Sequence, residues 1–141
     1  MNRAVDWLRQ AERDLQQAMF SQQHGMHEWA CFAAQQAAEK AVKAIHLQMG
    51  QDAWGHSILR LLKQLPDDVD IPAELLEVAA VLDAYYIPPR YPNGFSEGAP
   101  YEYYTQRQSS EAIEYAGQIL QFARAEVARR RERAPRREDL G

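Results

Sequence analysis

Apolar residues recur at helical spacing almost from the start of the chain. Trp7, Leu8, Ala11, Leu15, Ala18 and Met19 form one stripe, while Arg3, Arg9, Glu12, Arg13 and Gln16 take other faces. This predicts a helix over roughly residues 2–23. Gly25 ends it, and a second helix begins almost at once and runs to about Met49, where Gly50 stops it. The second helix carries Ala30, Ala33, Ala34, Ala37, Ala38, Ala41 and Ala44. Side chains this small let a neighbouring helix approach closely, so the pattern puts this helix at the centre of a bundle. A short third helix fits residues 56–65, closed by Pro66 and the acidic turn DDVD. Pro72 suits the first turn of a fourth helix with the stripe Leu75, Val78, Ala79, Leu82 and Tyr86, which Pro88 and Pro89 terminate. A loop to Tyr104 follows. Thr105 and Gln108 then have the spacing of a capping box, and Ile113, Ala116, Leu120, Ala123 and Val127 mark a long last helix.

The expected fold is therefore all-α: an up-and-down antiparallel helical bundle of about five helices, three long and two shorter, over residues 1–128. Residues 129–141 are rich in charge and read as a frayed helix end followed by a disordered tail.

Composition narrows the setting. No uninterrupted apolar run approaches the roughly 18 residues of a membrane span, and MNRAVDWLRQ has no apolar block of the kind that marks a signal peptide. A cytoplasmic location away from membranes is expected. The one cysteine, Cys31, lies in the apolar run WACFAA and reads as a buried small hydrophobe, in keeping with a reducing compartment. The net charge of −4 hides an asymmetry: residues 1–123 hold nine basic and sixteen acidic side chains, residues 124–141 seven arginines and four acids. An acidic body is poor material for a general nucleic-acid binder, whose non-specific affinity comes from neutralised phosphates, but local basic sites stay open.

Conventional chemistry finds little support. His24 and His27 flank a helix break, His46 and His56 lie in other segments, and neither HExxH nor paired cysteines occur, so no metal or other cofactor is expected. GxSxG and GxxxxGK[ST] are also absent. Two stretches remain. In CFAAQQAAEKAVKAI, Gln36, Lys40 and Lys43 share one helix face and Glu39 can pair with Lys43 four residues on. That is either a solvated face with a surface ion pair or a polar strip that meets phosphate or base groups. In YYIPPRYPNGF, Arg90 is the one cation between Lys63 and Arg107, set among tyrosines and prolines. Arginine forks onto phosphate, tyrosines stack and donate hydrogen bonds, and prolines stiffen the segment. Alternatively, Tyr85 and Tyr86 finish a core stripe, Tyr91 and Phe95 staple the loop to the bundle, and Arg90 caps helix carbonyls.

In order and spacing, CFAAQQAAEKAVKA (Cys31 to Ala44) and YYIPPRYP (Tyr85 to Pro92) together resemble the HEPN domain, named for higher eukaryotes and prokaryotes nucleotide-binding, over roughly residues 3–127. The resemblance implies an up-and-down bundle that commonly forms a homodimer. Small stand-alone members often pair with a minimal nucleotidyltransferase, many of them in toxin–antitoxin systems. Several branches are metal-independent ribonucleases with an arginine followed four to six residues later by a histidine. Here YPNGFSEG follows Arg90, QSSEAIEY follows Arg107, and the last histidine of the chain is His56. No catalytic residue is therefore assigned. The expected function is nucleotide or RNA binding beside a nucleotidyltransferase, with Arg90 on phosphate, Tyr86 and Tyr91 stacking or donating, and Lys40 and Lys43 adding charge. The alternatives are a ribonuclease toxin with an altered site and a structural dimerisation module.

Overall fold

Two glycines set the first hairpin and its far end. Gly25 adopts φ +73°, a left-handed conformation that glycine enters without a Cβ penalty. There the amide of Met26 donates to the Ser21 carbonyl and that of Gly25 to Gln22, the paired bonds of a Schellman stop. Gly50, also at φ +73°, ends the next helix in the same way, with Gln51 donating to His46 and Gly50 to Leu47. In the computed structural model, which describes residues 2–133, the helices are α1 (Ala4–Gln23), α2 (His27–Gln48), α3 (Ile58–Lys63), α4 (Ala73–Asp83) and α5 (Gln106–Arg133). Single 3-10 turns occur at Pro92–Gly94 and Pro100–Glu102, and no strand occurs among the described residues. The all-α bundle is as the periodicity predicts.

Polar contacts at the helix ends give the directions. Gln22, at the end of α1, donates to Ser109 and Ser110 at the start of α5, while Arg124 far along α5 pairs with Glu12 of α1. Those two helices are antiparallel. His27, opening α2, also meets Ser109, so α2 runs with α5 and against α1. Helix α4 supplies the return pass between them.

Helix α2 touches the four other helices, and its seven alanines are all buried. They contribute closeness, and the bulk comes from Ile45, Ile58, Leu61, Leu62, Leu82, Ile119 and Leu120. Each such side chain, fully withdrawn from water, stabilises by about 1.5–3 kcal/mol. Cys31 is buried against this core, and burial with the nearby Glu28 charge pushes its thiol up to about 12. It is the small hydrophobe its context predicts.

The capping box at the start of α5 forms: Gln108 donates its amide to Thr105 Oγ1, and Thr105 donates its amide to Gln108 Oε1. Three element boundaries differ from the periodic reading. Helix α3 occupies only Ile58–Lys63, because Ser57 caps it and an acidic side chain from another helix binds its first amides. Helix α4 stops at Asp83, short of Tyr86. Pro88 and Pro89 have no N–H to offer the Ala84 and Tyr85 carbonyls, and the chain unwinds a turn before them through i→i−3 bonds at Ala84 and Tyr85. Tyr86 consequently lies in the connection and not on a helical stripe. Helix α5 continues to Arg133, past the expected boundary at 128. The rest of the expected tail, residues 134–141, lies outside the described residues.

No helix among the described residues is long and apolar enough to cross a membrane.

Candidate functional site

The early end of α4 lets the connection 84–91 fold back onto α2. A turn closes with the Arg90 amide donating to the Ile87 carbonyl, and Pro89 is buried beneath it. The Arg90 guanidinium then lies 4.3 Å from the centroid of Phe32 on α2, 4.7 Å from that of Tyr86 and 5.3 Å from that of Tyr91. Its Nε donates to the Tyr86 carbonyl at 2.7 Å. Each cation–ring contact is worth about 0.5–2 kcal/mol depending on how far water is excluded. With Nε and the ring faces holding the plane, the terminal amino groups of Arg90 have no protein partner among the described residues. Arg90 thus ties down a carbonyl of the connection, where a helix carbonyl is expected, and lies in an aromatic setting.

Tyr86 has a second neighbour. The imidazole of His56, from the loop before α3, stacks on its ring with centroids 4.1 Å apart and planes 17° from parallel. His56 Nδ1 lies 3.0 Å from Glu39 Oε1, where beside a carboxylate it acts as the donor. Glu39 also accepts from Gln35 Nε2 through Oε1 and from Lys43 Nζ at 3.1 Å through Oε2. Burying a carboxylate is costly unless its oxygens are paired, and here three donors pair them. Gln35, fully buried, donates as well to the His56 carbonyl at 3.0 Å, so its amide nitrogen is committed to two acceptors. Its oxygen must then face Gln36, whose Nε2 donates to it at 2.7 Å.

Of the expected residues, the structure brings Arg90, Tyr86 and Tyr91 together. The two lysines diverge. Lys43 pairs with Glu39 as its spacing predicts, but as a buried pair, 12% and 6% exposed, because the loop carrying His56 covers it. Lys40 turns toward α1 and pairs with Asp14. Each therefore already has an acid, in contrast to Arg90. Phe95 stacks on Tyr103 and meets Tyr104, and so folds the loop onto its own later tyrosines.

Beside this cluster lies a groove of about 370 Å³ between α1 and α2. Trp29 and Phe32 form one wall, their rings edge to face at 6.2 Å, and Gln17 and Ser21 of α1 face them. Gln36 and the Lys40–Asp14 pair close one end, and Met26 lies at the other. Phe32 and Gln36 thus belong both to the groove and to the Arg90 and Glu39 clusters.

Sequence reasoning missed Phe32, Trp29, Glu39 as an anchor and His56. The signal for the first three is present: positions 29, 32, 36, 39 and 43 follow helical spacing and share one side of α2. For His56 no local signal existed, since it meets Tyr86 only through the fold.

Comparison with known proteins agrees with this architecture. A family model described as HEPN domain matches residues 4–127. The crystal structure of TT1696 from Thermus thermophilus superposes with TM-score 0.88 at 53% identity, covering 89% of this chain and 99% of that one. ST0689, described as an archaeal HEPN homologue, gives TM-score 0.77 at 45% identity, covering 90% and 99%. A HEPN domain protein from Thermotoga maritima gives 0.71 at 35% identity, covering 88% and 98%. No curated protein matches the chain.

Proposed function

The chain belongs to the HEPN domain family, and from that premise we propose that it binds a nucleotide or a segment of RNA by its phosphate at Arg90. The observation that carries this reading is the guanidinium held over Phe32, Tyr86 and Tyr91 with Nε tied to the Tyr86 carbonyl. Such a holder fixes the side chain before binding, which lowers the entropic cost of forming a forked pair with phosphate. Tyr91, half exposed, offers a ring face to a base or sugar beside it.

The protein acts in this reading as a homodimer and as the partner of a minimal nucleotidyltransferase in a two-component, toxin–antitoxin-like system. Family membership supports both, and sedimentation and co-purification with the nucleotidyltransferase of a neighbouring reading frame test them. Calorimetric titration with ATP, UTP and short RNA tests the site. Charge-assisted hydrogen bonds are worth about 1.5–3 kcal/mol, so Arg90→Ala should weaken binding roughly ten- to a hundredfold. Unchanged binding in that variant sinks the assignment.

A second reading is favoured by one observation. His56, oriented by Glu39, stacks on the same Tyr86 ring that lies beside the Arg90 guanidinium, so a proton-transferring group and a cation share one tyrosine without the sequence motif of the family's ribonucleases. Metal-free cleavage of RNA that disappears in His56→Ala supports a ribonuclease. RNA left intact by the wild-type protein argues against it.

A further inference from the structure

Glu39 sets more than the position of His56; it sets which nitrogen carries the proton. The carboxylate accepts, so Nδ1, 3.0 Å from Oε1, keeps its hydrogen whether the ring is neutral or charged. The neutral imidazole then has a bare lone pair at Nε2, and the imidazolium has an N–H there. Nε2 has no partner among the described residues, and the side chain is 53% exposed. One proton thus converts that edge of the ring from an acceptor into a charged donor. A phosphate oxygen accepts hydrogen bonds, so the neutral ring turns it away and the charged ring holds it. Histidine makes this change of charge between about pH 5 and 8.

This edge lies near Arg90. Both groups border the Tyr86 ring, the imidazole with centroids 4.1 Å apart and the guanidinium 4.7 Å from the ring centroid. They are therefore nearer to each other than the screening length of about 10 Å at 0.1 M salt. The other charged groups around His56 balance in number. Glu39 and Lys43 face it from α2 as an ion pair, Asp83 of α4 holds the Ser57 hydroxyl and Ile58 amide that follow it, and Arg90 comes from the connection. With two acids against two cations, the negative charge of a bound phosphate favours the proton on Nε2. We infer that His56 is a second phosphate-contacting residue of the Arg90 site, effective only as the imidazolium, so that binding takes up a proton. This rests on the phosphate-binding reading of Arg90 and adds a pH dependence to it.

The test uses the full chain and a short 2′-O-methyl oligouridylate, which has no 2′-hydroxyl to react and no group that titrates in this range. Calorimetry from about pH 8 down to pH 5 should show affinity rising about three- to tenfold, the worth of a charged hydrogen bond partly screened by water. The binding enthalpy should change with the ionisation enthalpy of the buffer, as proton uptake requires. Acidification should also steepen the dependence of log affinity on log salt by about 0.7, the mark of one added phosphate contact on a single strand. His56→Gln should bind with one affinity across the range, and melts at each pH identify any sample that unfolds. The wild-type protein gives a reading that needs no variant: the ring resonances of His56 should move toward their acidic positions when the oligonucleotide is added. A pH profile that persists in His56→Gln, or His56 resonances that stay in place on saturation, overturns the inference. Binding that is flat with pH and lost in Arg90→Ala overturns it while leaving the phosphate reading standing. A His56-dependent pH profile that Arg90→Ala does not weaken keeps His56 and removes Arg90. Absence of binding at every pH removes both.

Discussion

His56 and Arg90, which no sequence motif links, meet on one tyrosine: Tyr86 has the imidazole stacked at 4.1 Å and the guanidinium 4.7 Å from its ring centroid, and its carbonyl accepts from Arg90 Nε. Ring and carbonyl do different work. Tyr86→Phe keeps both and should bind ATP nearly as wild type. Tyr86→Ala keeps only the carbonyl, and the loss of ring contact should weaken ATP by roughly three- to thirtyfold. Calorimetry on the pair decides the point; equal affinities in Phe and Ala variants would show that the ring does not position Arg90.

The two lysines on α2 should differ sharply in their effect on stability. Lys43→Met leaves Glu39 buried with one donor fewer, and breaking a buried pair from one side costs about 3–5 kcal/mol. Lys40→Met removes a pair nearer to water, and such pairs are worth about 1 kcal/mol or less. Urea unfolding at constant m reads both values. Similar midpoints for the two variants would mean that Glu39 is compensated by His56 and Gln35 alone.

Alkaline pH should loosen the fold in a defined window. Burial raises the Cys31 thiol from an ordinary 9.0 to about 12, and the Tyr85 and Tyr104 phenols from 10.0 to about 12. The unfolded chain releases these protons first, so the stability they confer is fully present below pH 9 and is lost as pH rises from there toward 12. Thermal melts across that range should fall, and Cys31→Ala should delay the onset toward pH 10. Alkylation of Cys31 by iodoacetamide should likewise await unfolding; rapid labelling of the native protein at about pH 8 contradicts the burial.

Asp83 is expected to matter beyond its own helix. Its carboxylate accepts from the amides of Ile58 and Leu59 and from Ser57 Oγ, so the last residue of α4 caps the first turn of α3. Replacing a capping acid by alanine costs about 1–2 kcal/mol, with a larger value for a charge that serves several donors. Asp83→Ala should therefore lower the melting temperature and speed amide exchange at Ile58 and Leu59. Unchanged exchange there would assign the cap to Ser57 alone.

Much of this was legible in the chain because it is local. Gly25, Gly50 and the Thr105–Gln108 box fix helix ends through bonds within one turn, and the alanines of α2 declare a close-packed centre. Periodicity gives a residue's face but not its depth, and so Glu39 and Lys43 read as a surface pair until the His56 loop is laid over them. The motif that the resemblance implies sets an arginine and a histidine close in sequence, whereas Arg90 and His56 are far apart in the chain and are joined through Tyr86. That contact depends on α4 ending at Asp83, a consequence of prolines acting one turn ahead of themselves.

The three-residue link between α1 and α2 bears on the order in which the molecule comes together. Closing so short a connection costs little chain entropy, and the hairpin gathers its contacts from neighbours in sequence. Phe32, His56 and Arg90 come from three distant segments, and their meeting closes the longer loops. Contacts made across such long loops are expected to open before the α1–α2 hairpin, which amide exchange would read. A ligand seated on Arg90 as proposed would bind only the assembled arrangement, and by mass action it would hold this corner of the protein shut.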